Sequence, residues 1–314
     1  MKFTAELPLG EIAPAGEFQS MPAIADMARA LEGAGIDACF ITDHPAPDAQ
    51  WLHEAGHDAL DPFAGLAFVA AASTRLMLHA NIVVLPYRSP FVTAKAAATV
   101  QVLSGGRLIL GVGVGYQETE FAALGVDFHR RGVLANEALG AIRQAWTGEV
   151  VVMQGSTFKA AGNQARPVPD PTPPIWVGGA SEKALERAAR WADGWCPFYS
   201  NPGMGAADQD SGVNSVEHLR ELIARLQDKR AALGKTGPFD IVLGPRMRIK
   251  QPSPEVADRF LQSAAALKEA GVTWATVNIA HPSRAAYVEL VQWFGEAVVS
   301  HMRQSRPERG SPPA

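Results

Sequence analysis

Three groups of residues in this chain have types and spacings suited to chemistry. The first is His53-Glu54-Ala55-Gly56-His57, a literal H-E-x-x-H. On a helix that spacing puts two imidazoles on one face to hold zinc, with the glutamate activating a metal-bound water. A third ligand is required, and the surroundings withhold it. The extended pattern needs glycine at 60 and histidine at 63, where Leu60 and Phe63 stand, and no glutamate occurs between Glu54 and Glu118. Gly56 costs a helix about 1 kcal/mol relative to alanine, and Pro45 and Pro47 precede it closely. The segment therefore reads as a loop, no metal is expected, and His53 and His57 are left as candidates to line a substrate mouth.

The second group is Asp43-His44, closing the apolar run "ACFITDH". Histidine exchanges a proton near neutral pH, and a neighbouring carboxylate can fix its tautomer. The alternative is that Asp43 caps a turn and His44 is an ordinary rim residue. Asn81, inside the apolar run "LHANIVVLP", is a polar side chain that must find a partner if buried, in a ligand or in nearby backbone.

The third group is glycine-rich. "GVGVG" (111–115) is followed by Tyr116 where the dinucleotide pattern G-x-G-x-x-G wants glycine, so these glycines read as allowing close backbone approach. In "WVGGASEKALERA", Gly178, Gly179 and Ala180 lead to Ser181, a candidate N-cap. Free amides at a helix start, with the positive end of its dipole, form an anion site suited to phosphate. The plain alternative is a tight turn capped by Ser181.

Such residues need a frame. Eight strand candidates, at 2–8, 38–44, 76–86, 107–115, 174–179, 194–198, 240–250 and 274–280, are each followed by a stretch of helical period. Asp61-Pro62 and Ser89-Pro90 are cap-plus-proline helix starts. Sustained β–α alternation dictates parallel strands covered by helices. Eight units in a chain above ~250 residues predict an α/β fold, a single (β/α)8 TIM barrel. The barrel spans 1–302, with insertions at about 147–173 (a small hairpin) and 199–215 (a polar, glycine-rich loop suited to a lid), and a disordered tail at 303–314. The usual barrel phosphate site follows strands 7 and 8, so an anion site after the fifth strand departs from that pattern.

Composition narrows the function. Of 314 residues, 47% are apolar and 19% charged, and the net charge is −4 without a basic run. Neither a nucleic-acid partner nor an anionic membrane surface is indicated. No apolar run approaches the ~20 residues that span a bilayer, and no signal peptide is evident, so a cytoplasmic location is expected. Cys39 and Cys196 read as buried thiols.

Together, "FITDHPAP", the block "LHANIVVLPYRSPFVTAKAAATVQVLSGGRLILGVGVGYQETEFAALG" and "PIWVGGASEKALERAARWADGW" resemble the bacterial-luciferase-like superfamily, and within it the coenzyme F420-dependent oxidoreductases. The resemblance implies a (β/α)8 barrel with a flavin or deazaflavin across its mouth. It places Asp43 and His44 beside the ring, with His44 positioning the ring or supplying a proton. It places a non-proline cis peptide at Asn81–Ile82 or one residue earlier, Gly113 and Gly115 against the ring or ribityl chain, and Gly178, Gly179, Ala180 and Ser181 around the phosphate. Tyr116 stands where some deazaflavin relatives carry a glutamate, which argues against sugar-phosphate dehydrogenase chemistry, and it joins His53 and His57 as a substrate-mouth candidate. The implied activity is F420-dependent hydride transfer with a small organic substrate. The alternatives are an FMN-dependent monooxygenase and a non-catalytic flavin-binding protein. Family members are often homodimers.

Overall fold

The computed structural model describes residues 1–10, 17–54, 56–200 and 212–304. Its elements run β1 (Lys2–Glu6), α1 (Met21–Gly33), β2 (Ala38–Ile41), α2 (Ala49–Glu54), α3 (Pro62–Ala72), β3 (Met77–Val84), α4 (Pro90–Leu103) and β4 (Leu108–Gly113). Next come α5 (Glu118–Ala123), α6 (Arg131–Ala145), β5 (Val150–Gln154), β6 (Lys159–Gln164), β7 (Ile175–Gly178), α7 (Glu182–Trp191) and β8 (Gly194–Cys196). The last are α8 (Val216–Ala232), β9 (Asp240–Ile241), β10 (Arg248–Ile249), α9 (Pro254–Glu269), β11 (Trp274–Ile279), α10 (Arg284–Phe294), a π-helical turn (Gly295–Val299) and α11 (Ser300–Gln304).

Local sequence sets the helix starts. Asp61 accepts from the amides of Phe63 and Ala64 at 3.0 and 2.9 Å, with Pro62 in the first turn of α3. Ser20, Ser181, Ser215, Ser253 and Ser283 do the same for α1, α7, α8, α9 and α10. The strands carry apolar runs because both faces are covered; β2 and β4 are buried at every residue.

Nine strands form one sheet in the order β10-β11-β1-β2-β3-β4-β7-β8-β9, with parallel pairing throughout. The sheet is strongly curled. Four strands separate β7 from β11 in that order, which in a flat sheet would put them more than ~20 Å apart. Yet the rings of Trp176 in β7 and Trp274 in β11 lie 5.1 Å apart, inside a buried cluster with Ala38, Ile109, Cys196 and Val242. Beyond β9, Val242 makes a parallel bridge to Trp274, and the Leu243 amide donates to the Trp274 carbonyl at 3.1 Å.

Two expectations are corrected here. The seventh strand, anticipated as one run over 240–250, is divided into β9 and β10, so the sheet counts nine strands where eight were expected. Pro245 lacks the amide a ladder needs, and a Cβ at Gly244 would lie 1.8 Å from the Thr276 carbonyl oxygen, so this stretch passes β11 too closely for regular pairing. The segment after β2 is not purely loop but carries the short helix α2, which ends at Glu54, so His53 and His57 do not share a helix face. The expected hairpin is present as antiparallel β5 and β6. Most of the anticipated lid at 199–215 and most of the tail at 303–314 lie outside the described residues. Among the described residues, no helix is long and apolar enough to cross a membrane.

Candidate functional site

The carboxyl ends of the curled strands open on a cavity of about 770 Å³. Asp43 and His44 reach it after β2, Asn81 and Ile82 from β3, Gly113, Gly115 and Tyr116 from the end of β4, and Gly178, Gly179 and Ser181 after β7. Three predicted residues stay off its wall. Ala180 is buried, His53 is exposed on α2, and His57 packs edge-on to His44 at 5.3 Å behind it. The mouth role expected for His53 and His57 is thereby corrected. Among the described residues, no group of three metal-ligating side chains converges anywhere.

His44 has a partner that sequence reasoning missed. Its Nδ1 lies 3.2 Å from Oε2 of Glu120 on α5, a side chain with 0% exposure. Glu120 also accepts from the Ala46 amide at 3.0 Å and from the Tyr87 hydroxyl at 2.8 Å. Burial raises the carboxyl's pKa, but the bonds from His44, Ala46 and Tyr87 more than offset it and hold the group below the ordinary carboxylate range. Conversely, burial and then the bond to Glu120 push the Tyr87 phenol up. An ionised carboxylate only accepts, so His44 must donate from Nδ1, and Nε2 becomes the ring nitrogen available for proton exchange. The Gln117 amide is a longer neighbour of Nδ1, at 3.5 Å, and Trp51 and Tyr116 flank the ring at 4.7 and 6.0 Å.

Asp43 does not take the role of fixing the His44 tautomer, which is a second correction. It accepts from the Val84 amide at 3.0 Å and from both terminal nitrogens of Arg88, one at 2.7 Å. Arg88 also lies 3.6 Å from Asp61, the cap of α3. Burial works against the Arg88 charge, and its bond to Asp43 outweighs that. Asp43 anchors the end of β3 through Val84 and Arg88, and His44 beside it is held from α5; both lie on the cavity wall.

Ile82 explains two of the glycines. The Asn81–Ile82 peptide is cis, and the β3–β4 register shifts between Ala80 and Val83. A Cβ on Gly113 would sit 2.0 Å from Ile82 Cδ1, and one on Gly178 would sit 3.1 Å from it. At Gly115 the space is taken by Val84 and Phe121. The close approaches at Gly113 and Gly115 are thus to protein side chains, while the backbone of both residues remains on the cavity wall. Asn81 Oδ1 accepts from the Cys196 thiol at 3.5 Å. Burial pushes both thiols, Cys39 and Cys196, up to about 12.

The far end of the cavity is cationic. Gly179, with φ 89, turns the chain from β7 into α7. Ser181 Oγ accepts from the Ala184 amide at 3.3 Å, leaving the first-turn amides of Glu182 and Lys183 without intrahelical partners. Arg187 on α7 and Arg131 at the start of α6 line the same cavity. Arg187 donates to Asn136 Oδ1 at 2.8 Å and Arg131 to the Phe128 carbonyl at 3.1 Å, both neutral acceptors. Burial, aided by repulsion from Arg131 and partly opposed by Glu186, lowers the Arg187 pKa. Two guanidinium groups that repel each other beside a helix start are arranged to take a multiply charged anion. No local sequence motif marks either arginine. Glu120 left a faint signal, an acidic side chain in the apolar stretch "TEFAAL" just past β4.

A family model described as luciferase-like monooxygenase matches residues 3–305. A curated relative from Mycobacterium tuberculosis with no assigned function is 32% identical over 68% of this chain and 74% of its own length. A second, the F420-dependent glucose-6-phosphate dehydrogenase of Mycobacterium avium, is 27% identical over 95% of this chain and 92% of its own. Among solved structures, a monooxygenase from Streptomyces bottropensis superposes with a TM-score of 0.74 at 20% identity, covering 96% of this chain and 100% of that one.

Proposed function

Since the chain belongs to the luciferase-like monooxygenase family of oxidoreductases, we propose that it is a coenzyme F420-dependent oxidoreductase acting on a small organic substrate. The observation that carries this reading is the pairing of two unlike ends in one cavity, Ser181 with Arg187 and Arg131 at one and the His44–Glu120 pair at the other. The apolar wall on the β2–β3 side, from Phe40, Ile82 and Val84, suits a flat ring. The curled sheet, with its bridge from Val242 to Trp274, supports a closed (β/α)8 barrel as the frame.

The residues present fit a phosphate-bearing deazaflavin. The amides after Ser181 and the guanidinium groups of Arg187 and Arg131 would hold its phosphate. Asn81, Ile82 and Gly178 would back its ring. When bound, the deazaflavin supplies the hydride acceptor or donor. The protein's own contribution is orientation, a water-poor wall and an imidazole nitrogen, His44 Nε2, that can exchange a proton. Glu120 keeps that imidazole in one tautomer and one orientation.

An FMN-dependent monooxygenase is the second reading, favoured by the fold match to the Streptomyces enzyme. Titration of the purified chain with F420 and with FMN, followed by absorbance and fluorescence, separates the two. Micromolar or tighter F420 binding with weak FMN binding is expected. The opposite order, with oxygen uptake by the reduced complex, would replace this reading by the second. Tight binding without turnover of any substrate would leave a binding protein.

A further inference from the structure

The cavity holds more positive charge than a cofactor phosphate requires. Its wall carries Arg131, Arg187, Arg246 and Arg248 but a single carboxylate, Asp43, which is bonded to Arg88. Among the described residues, no carboxylate lies within ion-pair distance of any of those four arginines. The chain as a whole has net charge −4, so this concentration runs against its overall balance.

Arg246 and Arg248 follow β9, two strands along the sheet from β7. Arg246 lies between β9 and β10, Arg248 opens β10, and Asn278 of β11 is the register partner of Arg248. Strand order sets these on the arc from β8 round to β1. A ligand running from Ser181, after β7, to His44, after β2, would follow the β3–β4 side and leave that arc uncovered. Both side chains are exposed. Arg246 donates to the Ser200 carbonyl at 3.2 Å and lies 5.6 Å from the centroid of the Tyr199 ring. Arg248 is 3.4 Å from His281 Nε2, while His281 Nδ1 is 3.0 Å from the Ile279 carbonyl. A nitrogen beside a carbonyl must donate, so Nδ1 carries a hydrogen and Nε2 is the nitrogen that faces Arg248.

We propose that Arg246, Arg248 and Asn278 recognise an anionic group, a phosphate or carboxylate, on the substrate itself. An exposed guanidinium contributes little alone, but two arginines with an amide beside them can grip one anion through several charged hydrogen bonds. This assignment rests on the cofactor reading above for which end of the cavity the substrate occupies.

The test uses the whole chain saturated with F420, with inorganic phosphate, glycerol 3-phosphate and glycerol as probes, read by calorimetry and by the fluorescence of the bound deazaflavin. Both phosphates should bind saturably and glycerol should not. The double variant Arg246→Gln/Arg248→Gln should raise the Kd for glycerol 3-phosphate by about tenfold or more, while the Kd for F420 stays within about twofold. Equal phosphate affinity in the variant and the parent would overturn the proposal. So would weakened F420 binding with unchanged phosphate binding, which would assign the arginines to the acidic tail of the cofactor. If the parent chain fails to bind F420, the cofactor reading falls on its own. The phosphate titration is then made on an Arg131→Gln/Arg187→Gln background, where a further loss on removing Arg246 and Arg248 keeps the assignment and no further loss removes it.

Discussion

His44 Nδ1 and Glu120 Oε2 lie 3.2 Å apart, and the carboxylate that holds the imidazole is wholly shielded from water. The pair joins the end of β2 to α5, the helix that follows β4, with His44 on the cavity wall and Glu120 behind it. Glu120→Gln keeps the shape and removes the charge that sets the tautomer. It is expected to lower kcat on the order of 10²-fold, the range of general acid–base contributions. Cofactor affinity should hold within about twofold, since no phosphate contact is lost. Steady-state kinetics together with a cofactor titration check this, and a variant with parental kcat would remove the positioning role of Glu120.

Arg88 neutralises Asp43, which is only 4% exposed. Arg88→Ala strands a buried carboxylate and should destabilise the fold by roughly 3–5 kcal/mol. Adding Asp43→Asn should recover part of that loss. Urea denaturation of the single and double variants measures both.

Arg187 is expected to hold cofactor phosphate. Arg187→Gln should weaken F420 binding about tenfold at low salt, and less as salt rises. Its affinity for the deazaflavin chromophore lacking the phosphate should not change. Equal losses for both ligands would place Arg187 elsewhere in the site.

Ile82 occupies the space a side chain at 113 would need. Gly113→Ala should cost about 1–3 kcal/mol through overpacking, because Ile82 Cδ1 would lie 2.0 Å from the new Cβ. Ile82→Ala in the same chain should relieve most of it. A shift in urea midpoint that the second change does not reverse would mean that the backbone, not Ile82, fixes the glycine.

His79, with 0% exposure and Nε2 unpartnered, is held neutral by burial, which lowers its pKa to about 3. The unfolded chain binds this proton near the ordinary value of about 6.5. The stability associated with neutral His79 is therefore complete above pH ~6.5 and is lost as pH falls from there towards 3, by up to about 1.4 kcal/mol per pH unit. His79→Phe should flatten the stability profile between pH 6.5 and 5, a window in which carboxylates with ordinary or lowered values contribute little. Denaturant midpoints at pH 7, 6 and 5 test the difference.

Much of this protein is written in local pattern. Apolar runs bounded by helical periods fix parallel strands under helices, because both strand faces must be covered. The Ser181 cap and the Asp61-Pro62 start are visible because capping depends on residues a few positions apart. The same adjacency explains why Asp43-His44 and Gly178-Gly179-Ser181 could be singled out before any fold was known. Partners far apart in the chain were not legible. Glu120 comes to His44 from 76 residues away, and Arg88 comes to Asp43 from 45. Arg131, Arg187, Arg246 and Arg248 each look like solvent-facing charges until the sheet curls and sets them round one cavity. Nor could spacing tell that Gly113 makes room for Ile82. The sequence by itself determined the elements and their caps, since these depend on neighbours along the chain. Tertiary structure decided which charges meet and which stay unpaired, since that depends on how far a parallel sheet bends and on which way each strand end turns its side chains.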